Sequence, residues 1–205
     1  MNLVTIDIET QKLADEVGGW GKKHEMKIAS AVLYLWPDNE FKFFLNMHQH
    51  KDVVSSHVKE ILEGCDYVIG YNHKDFDSKV LYGNDFKAPD NYIDLLKILA
   101  KVGGGRKGLG LKKVSEKNLN MTEMASGEMA PIMWREQRFD ELLQYNLHDV
   151  RMTWNLFVKM IRHRLIEHPE KDMRVILQPR DLSYMSPNEI DELWSLADDG
   201  NFCYC

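Results

Sequence analysis

The sequence predicts an α/β domain. Three observations carry that expectation. A hydrophobic strand opens the chain at Leu3-Val4-Thr5-Ile6-Asp7-Ile8-Glu9. Two more strand-like runs follow around a Pro37-Asp38-Asn39 turn, and beyond them short apolar runs alternate with segments of helical periodicity.

Each element has a local reason. Residues 2–9 alternate as a strand, and residues 10–26 form a loop carrying Gly18, Gly19 and Gly21. Residues 27–36 and 40–46 make an antiparallel pair beside the first strand. A helix is expected at about 51–63, a short buried strand at 66–70, and a helix from about 75. Tyr92 to Lys101 is apolar at helical spacing, and another helix is expected from Leu109 to Lys117. Residues 119–137, with Met121, Met124, Met129 and Met133 among Gly127 and Pro131, are expected to be a loop or short helical turns, the methionines serving as gap-fillers. From Phe139 to Leu165 a long stripe of Leu142, Leu147, Val150, Trp154, Phe157 and Ile161 predicts one helix. Farther on, Ser186-Pro187 is a cap followed by a first helical position, opening a helix through Trp194. The expected organisation is one domain at 1–165 with a helical appendage at 166–205 packed on it.

Composition narrows the class. With 205 residues the chain is long enough for a sizeable core. No apolar run reaches membrane-spanning length, and Met1 leads straight into a strand, so a cytoplasmic protein without a membrane partner is expected. Three cysteines argue against a disulfide scaffold, and the Cys203-x-Cys205 pair lacks the further ligands a zinc site needs. The net charge of −6 is unusual for a nucleic-acid binder and fits only a small contact with a strand end.

The acids carry the chemistry. Asp7 and Glu9 stand two apart on a strand, so they share a face opposite Val4, Ile6 and Ile8. They repel unless a cation lies between them, although a solvated polar strand face has the same spacing. Asp149 sits at the border of the apolar stripe, one helical turn from Tyr145. There a carboxylate is costly unless paired or bound to metal; an ion pair with Arg151 or Arg162 is the plainer alternative. Between these lies Tyr71-Asn72-His73-Lys74-Asp75-Phe76-Asp77, read as strand, loop and helix start. In that run Asp75 or Ser78 could cap a helix, and Asp77 could serve the helix dipole.

Together these motifs resemble the DEDD, or DnaQ-like, 3′–5′ exonuclease superfamily, over about residues 1–162. Asp7-Ile8-Glu9-Thr10 matches its Asp-x-Glu-Thr motif. Asn72 through Phe76-Asp77 matches Asn-x-x-x-Phe-Asp, and Tyr145 through Asp149 matches the Tyr-x-x-x-Asp of the tyrosine subclass. The histidine subclass would carry His at the position of Gln144, and His148 does not fill that role. Gly18-Gly19-Trp20 and the Gly-rich link from Gly103 to Leu111 are similar to predicted exonucleases related to the family B polymerase proofreading domain and to YprB-like domains.

The resemblance implies a ribonuclease H-like fold: a mixed five-stranded sheet, its first three strands antiparallel, flanked by helices on both faces. It implies a metal-dependent 3′–5′ exonuclease acting on single-stranded DNA or RNA 3′ ends, DNA favoured. Asp7, Glu9, Asp77 and Asp149 would hold two Mg²⁺ or Mn²⁺ ions about 4 Å apart, with Asp7 bridging both. Tyr145 would orient the attacking water, since a phenol with a pKa of about 10 is a poor base at neutral pH. Thr10, Trp20, Asn72, Phe76 and Lys107 are the expected substrate-binding residues. Trp20 would stack on the terminal base with Lys22 and Lys23 nearby for phosphate, or else pack its loop onto the core. Any polymerase or helicase partner would be a separate chain. The alternatives are a structure-specific nuclease or ribonuclease on the same site, and a non-catalytic nucleic-acid-binding module.

Overall fold

The computed structural model describes residues 1–47, 52–122, 124, 126–182 and 185–205. Five strands form the main sheet: β1 (Leu3–Thr10), β2 (Ile28–Trp36), β3 (Glu40–Leu45), β4 (Tyr67–Gly70) and β5 (Tyr92–Asp94). Their order across the sheet is β3-β2-β1-β4-β5. The first three are antiparallel, with Leu3 opposite Trp36 and Asp7 opposite Val32, and Val32 opposite Phe43. β4 runs parallel to β1, with Leu3 beside Tyr67, and β5 runs parallel to β4. The sheet is therefore mixed, as expected.

β1 lies at the centre and is buried on both faces. Val4, Ile6 and Ile8 join Val68 in one cluster against Val58 and Leu62 of α1 (Ser55–Glu63) and Val80 and Leu81 of α2 (Asp77–Tyr82). Leu3, Tyr67, Ile69 and Ile93 point the other way, into a larger cluster. That cluster is built on α3 (Leu95–Gly103), α4 (Leu111–Leu119) and α6 (Phe139–His163). Two layers of helix over one sheet is the solution that buries an alternating strand on both sides.

Several boundaries depart from expectation for identifiable reasons. Tyr92–Asp94 is a strand and the helix begins only at Leu95. The Asp94 side chain accepts from the Lys97 backbone N–H and so caps α3. A three-residue strand is too short for its period to show beside a nine-residue helix. The helix expected from about 75 starts at Asp77. The expected start at 51 lies outside the described residues; Asp52 Oδ1 accepts from the backbone of Val54 and Ser55 just ahead of α1. Within 119–137, α5 (Met129–Arg135) is a helix that buries Met133, whereas Met124 is exposed. Gap-filling therefore describes Met133 and not Met124.

The C-terminal part is more than helical. After α6, β6 (Leu165–Glu167) and β7 (Arg174–Ile176) form a small antiparallel hairpin. Asn118 on α4 holds it edge-on, donating to the Glu167 carbonyl and accepting from the Glu167 N–H. The last helix, α7 (Pro187–Asp198), opens with the capping box that Ser186-Pro187 predicts, Ser186 and Glu189 exchanging bonds. Phe202 is fully buried against Trp36, Trp154 and Phe157. Asn155 binds the backbone of Cys205 through both its carbonyl and its amide. Hairpin, α7 and Phe202 all contribute side chains to the α6 cluster. The three cysteines are free thiols.

The turn after β4 depends on one glycine. A Cβ at Gly70 would lie 2.5 Å from the ring of His73. That ring is buried and stacked on Tyr92 with centroids 5.4 Å apart, so it has nowhere to go. Gly70→Ala should therefore lower the unfolding free energy by about 1–3 kcal/mol, the usual cost of overpacking. Urea denaturation of parent and variant measures it; an unchanged midpoint would show that the His73 ring relocates freely.

Candidate active site

The site forms where β1 ends. Asp7 and Glu9 point from the β1 face that meets α6, and Asp149 projects from α6 toward them. Each of these three carboxylates offers an oxygen, and the three oxygens lie within 4.8 Å of one another. Asp77, in the first turn of α2, is buried beside them, and its Oδ1 accepts from the Ile8 backbone N–H at 2.8 Å. That bond ties α2 to β1 and fixes where the fourth carboxylate stands. All four acids, with Tyr145, line one cleft of about 720 Å³.

Crowding is visible in the proton affinities. Burial, then Asp77 and Asp149, push the Asp7 carboxyl well above the ordinary range, against a hydrogen bond from Asn146 and the charge of Lys112. Burial, then Asp7, Asp149 and Asp77, do the same to Glu9. Asp77 is pushed up to about 7, mainly by burial, despite backbone hydrogen bonds that favour its charged form. Four acids in a poorly solvated pocket are stable as anions only with a compensating cation. A set of hard carboxylate oxygens suits Mg²⁺ or Mn²⁺. The Asp7, Glu9 and Asp149 trio fits one ion, and Asp77 stands outside that trio where a second could be shared.

The surrounding residues divide. Tyr145 is buried among Ala29, Ala130, Met133, Trp134 and Leu142. Its hydroxyl lies toward Gly127, another residue of the cleft lining. Trp20 also lines the cleft, 64% exposed and edge-on to Phe76 at 6.2 Å. At that exposure the ring is not part of the core. Gly18 and Gly19 have positive φ, which an L side chain at either position would strain, and the loop is tied to Asn84, which donates to the Gly21 carbonyl. Asn72 and Phe76 line the same wall. Thr10 borders the cleft, but its hydroxyl is spent on the Lys12 carbonyl.

Other expected residues are not brought in. Lys107 does not line the cleft; it is exposed on the linker after α3, and its charge acts on Glu170. The three glycines of that linker with positive φ, Gly104, Gly105 and Gly108, set its direction, which no periodicity reports. Lys22 pairs with Glu25 and, like Lys23, is outside the cleft lining. His148 turns away to the Thr122 carbonyl. Arg151 stacks over Phe41, so it is not the partner of Asp149.

Two further residues, neither given a role in the site from the sequence, stand beside these acids. Asn146 is fully buried and donates to Asp7 Oδ2 at 2.5 Å, while its own carbonyl accepts from Ser30 on β2. Lys112, at the start of α4, holds its ammonium 5.3 Å over the Tyr145 ring and adds positive charge near Asp7 and Glu9. Its place beside the Gly-rich link was the only hint. For Asn146 the hint was a buried amide within the Tyr-x-x-x-Asp run.

The family model of the RNase_H superfamily matches residues 4–161 of this sequence. The chain belongs to the ribonuclease H superfamily. Among solved structures, this ribonuclease H-like chain is similar to the family B DNA polymerase from the hyperthermophilic archaeon Pyrobaculum calidifontis. The identity is 17%, the TM-score 0.64, and the match spans 96% of this chain and 29% of the polymerase. At that identity the likeness establishes the fold, and this ribonuclease H-like chain corresponds to under a third of the polymerase's length. No curated protein matches it in sequence. Family and fold support a nuclease in general terms. No helix among the described residues is long and apolar enough to cross a membrane.

The raised carboxyls predict a signed pH effect. Without divalent cations the folded state keeps a proton on Asp77 up to about pH 7, whereas the unfolded chain loses it near about pH 4. The folded state binds more protons in that window, so this group's contribution to stability falls as pH rises through it. His73, pushed down to about 3 chiefly by burial, contributes the opposite slope, so the parent alone is uninformative. The expected result is that Asp77→Asn, which retains an acceptor for Ile8, melts above the parent in EDTA. Its margin should grow from about pH 5 to about pH 8 and shrink when Mg²⁺ or Mn²⁺ is added. Scanning calorimetry over that range decides it.

Proposed function

We propose that this protein is a metal-dependent 3′–5′ exonuclease that removes nucleotides from single-stranded ends, DNA favoured over RNA. The observation that carries the reading is the convergence of Asp7, Glu9 and Asp149 to within 4.8 Å in one cleft with Asp77 and Tyr145. Superfamily membership and the fold likeness to a DNA polymerase support it further. Bound divalent cations would supply Lewis acidity and a lowered pKa for water.

The protein's own groups do the rest. Asp7, Glu9, Asp77 and Asp149 would hold the cations, and Asn146 fixes the rotamer of Asp7. Tyr145, on the cleft wall, orients water through its hydroxyl, and Lys112 offsets negative charge beside it. Trp20 and Phe76 give an aromatic rim on which a terminal base can stack regardless of identity. A rim of this size suits a strand end, which is all that a protein of charge −6 is expected to grip.

The direct test is incubation with end-labelled single-stranded DNA and RNA, with and without Mn²⁺. A ladder shortening from the 3′ end in the presence of metal is expected; internal cuts would favour the endonuclease alternative. Asp7→Ala and Asp149→Ala should each lower turnover by about a hundredfold or more while leaving the fold intact. Tyr145→Phe should lower turnover about tenfold or more with unchanged binding. His148→Ala should do much less, and the reverse order would refute the assignment of Tyr145. Trp20→Ala should weaken single-strand binding by about 1–3 kcal/mol, with almost no change in melting temperature because the ring is largely exposed. Affinity by fluorescence anisotropy and melting by calorimetry check both halves.

A further inference from the structure

The linker between α3 and α4 lies against the cleft wall. Lys171 donates to the Gly103 carbonyl, and Gly108 packs so closely on Glu170 that a Cβ there would clash. On the other side the Tyr71 hydroxyl donates to the Leu109 carbonyl at 2.5 Å. The linker is thus tied both to the β6-β7 hairpin and to the loop that carries Asn72. From it Arg106 reaches back, and its Nη2 donates to Asn72 Oδ1 and to Asp75 Oδ2, each at 2.9 Å.

Asp75 faces two cations, since its Oδ1 accepts from Lys97 Nζ at 2.9 Å. One carboxylate thus bonds both a lysine and an arginine, with Asp94 a further anion near Lys97. A guanidinium has five N–H donors, and Arg106 spends only those of Nη2 among the described residues. Its side chain is 49% exposed. Asn72 and Tyr71, its neighbours, line the cleft.

We propose that Arg106 is a phosphate-binding residue for the bound strand, held beside the cleft wall by Asn72 and Asp75. The inference rests on the nuclease reading and adds a substrate contact to it. The free edge of a guanidinium is a fork that matches two phosphate oxygens. A phosphodiester there meets the N–H donors of Arg106 that Asn72 and Asp75 leave unused. The basic contact expected at Lys107 thereby moves one residue back, to the side chain that the linker turns inward.

The test is binding of a fluorescein-labelled oligothymidylate in Ca²⁺, followed by anisotropy across a salt series. Arg106→Ala should weaken binding about tenfold and reduce the salt slope by about one. Arg106→Lys, which keeps the charge, should keep the slope. Asp75→Asn should tighten binding, because it releases Arg106 and Lys97 from their internal anion. An unchanged affinity and slope in Arg106→Ala would overturn the proposal. So would weakened binding in Asp75→Asn, since that result makes the trio a strut of the wall. Failure of the parent protein to bind the strand would bring down the nuclease reading as well, whereas parental binding with an indifferent Arg106→Ala removes only this contact.

Discussion

Everything at this site follows from gathering four carboxylates in the lining of one cleft, where burial first and mutual repulsion second disfavour their anionic forms. Left to itself such a group would spread apart or hold protons. The fold prevents spreading with bonds that do not depend on a cation. The Ile8 N–H fixes Asp77, and Asn146, itself held by Ser30, fixes Asp7. Each tether crosses between elements, β1 to α2 in the first and α6 to β1 in the second. The proton affinities of Asp7, Glu9 and Asp77 rise accordingly. A cation that enters meets ligands already in place, so little of its binding energy is spent on ordering them.

The sheet is arranged to make this possible. β1 is the strand where pairing changes from antiparallel with β2 to parallel with β4. The ends of β1 and β4 therefore lie at the same edge, and the loop after β4 brings Asn72, Phe76 and Asp77 beside Asp7 and Glu9. Ligand sites in open sheets gather at such edges because strand ends leave a crevice that helices do not fill. Here α6 closes one side with Tyr145 and Asp149, and the Trp20 loop borders the other.

Much of this could be read from the chain because the informative spacings are short. Two residues on a strand put Asp7 and Glu9 together, and four on a helix put Tyr145 and Asp149 together; secondary structure alone enforces both. Asn146 is a different case. Its value lies in reaching Ser30 and Asp7, and only the docking of α6 on the sheet reveals that. Lys112 is similar, since a lysine in a basic run looks like any solvated surface until α4 is placed beside Tyr145. Tyr92–Asp94 and the β6-β7 hairpin escaped because three residues cannot display a period. Lys107 and Arg106 are neighbours in one basic run, and only the linker's course, set by left-handed glycines at 104, 105 and 108, tells which of them faces Asn72.

The candidate ligands are spread along nearly three quarters of the chain, from Asp7 on the first strand to Asp149 on the sixth helix. No contiguous fragment shorter than residues 7–149 contains the set. During synthesis the first strands can pair and the first helices can cover them, yet cation capture waits until α6 has emerged and docked. The site is therefore complete only when the whole span from the first strand to α6 has folded as one unit.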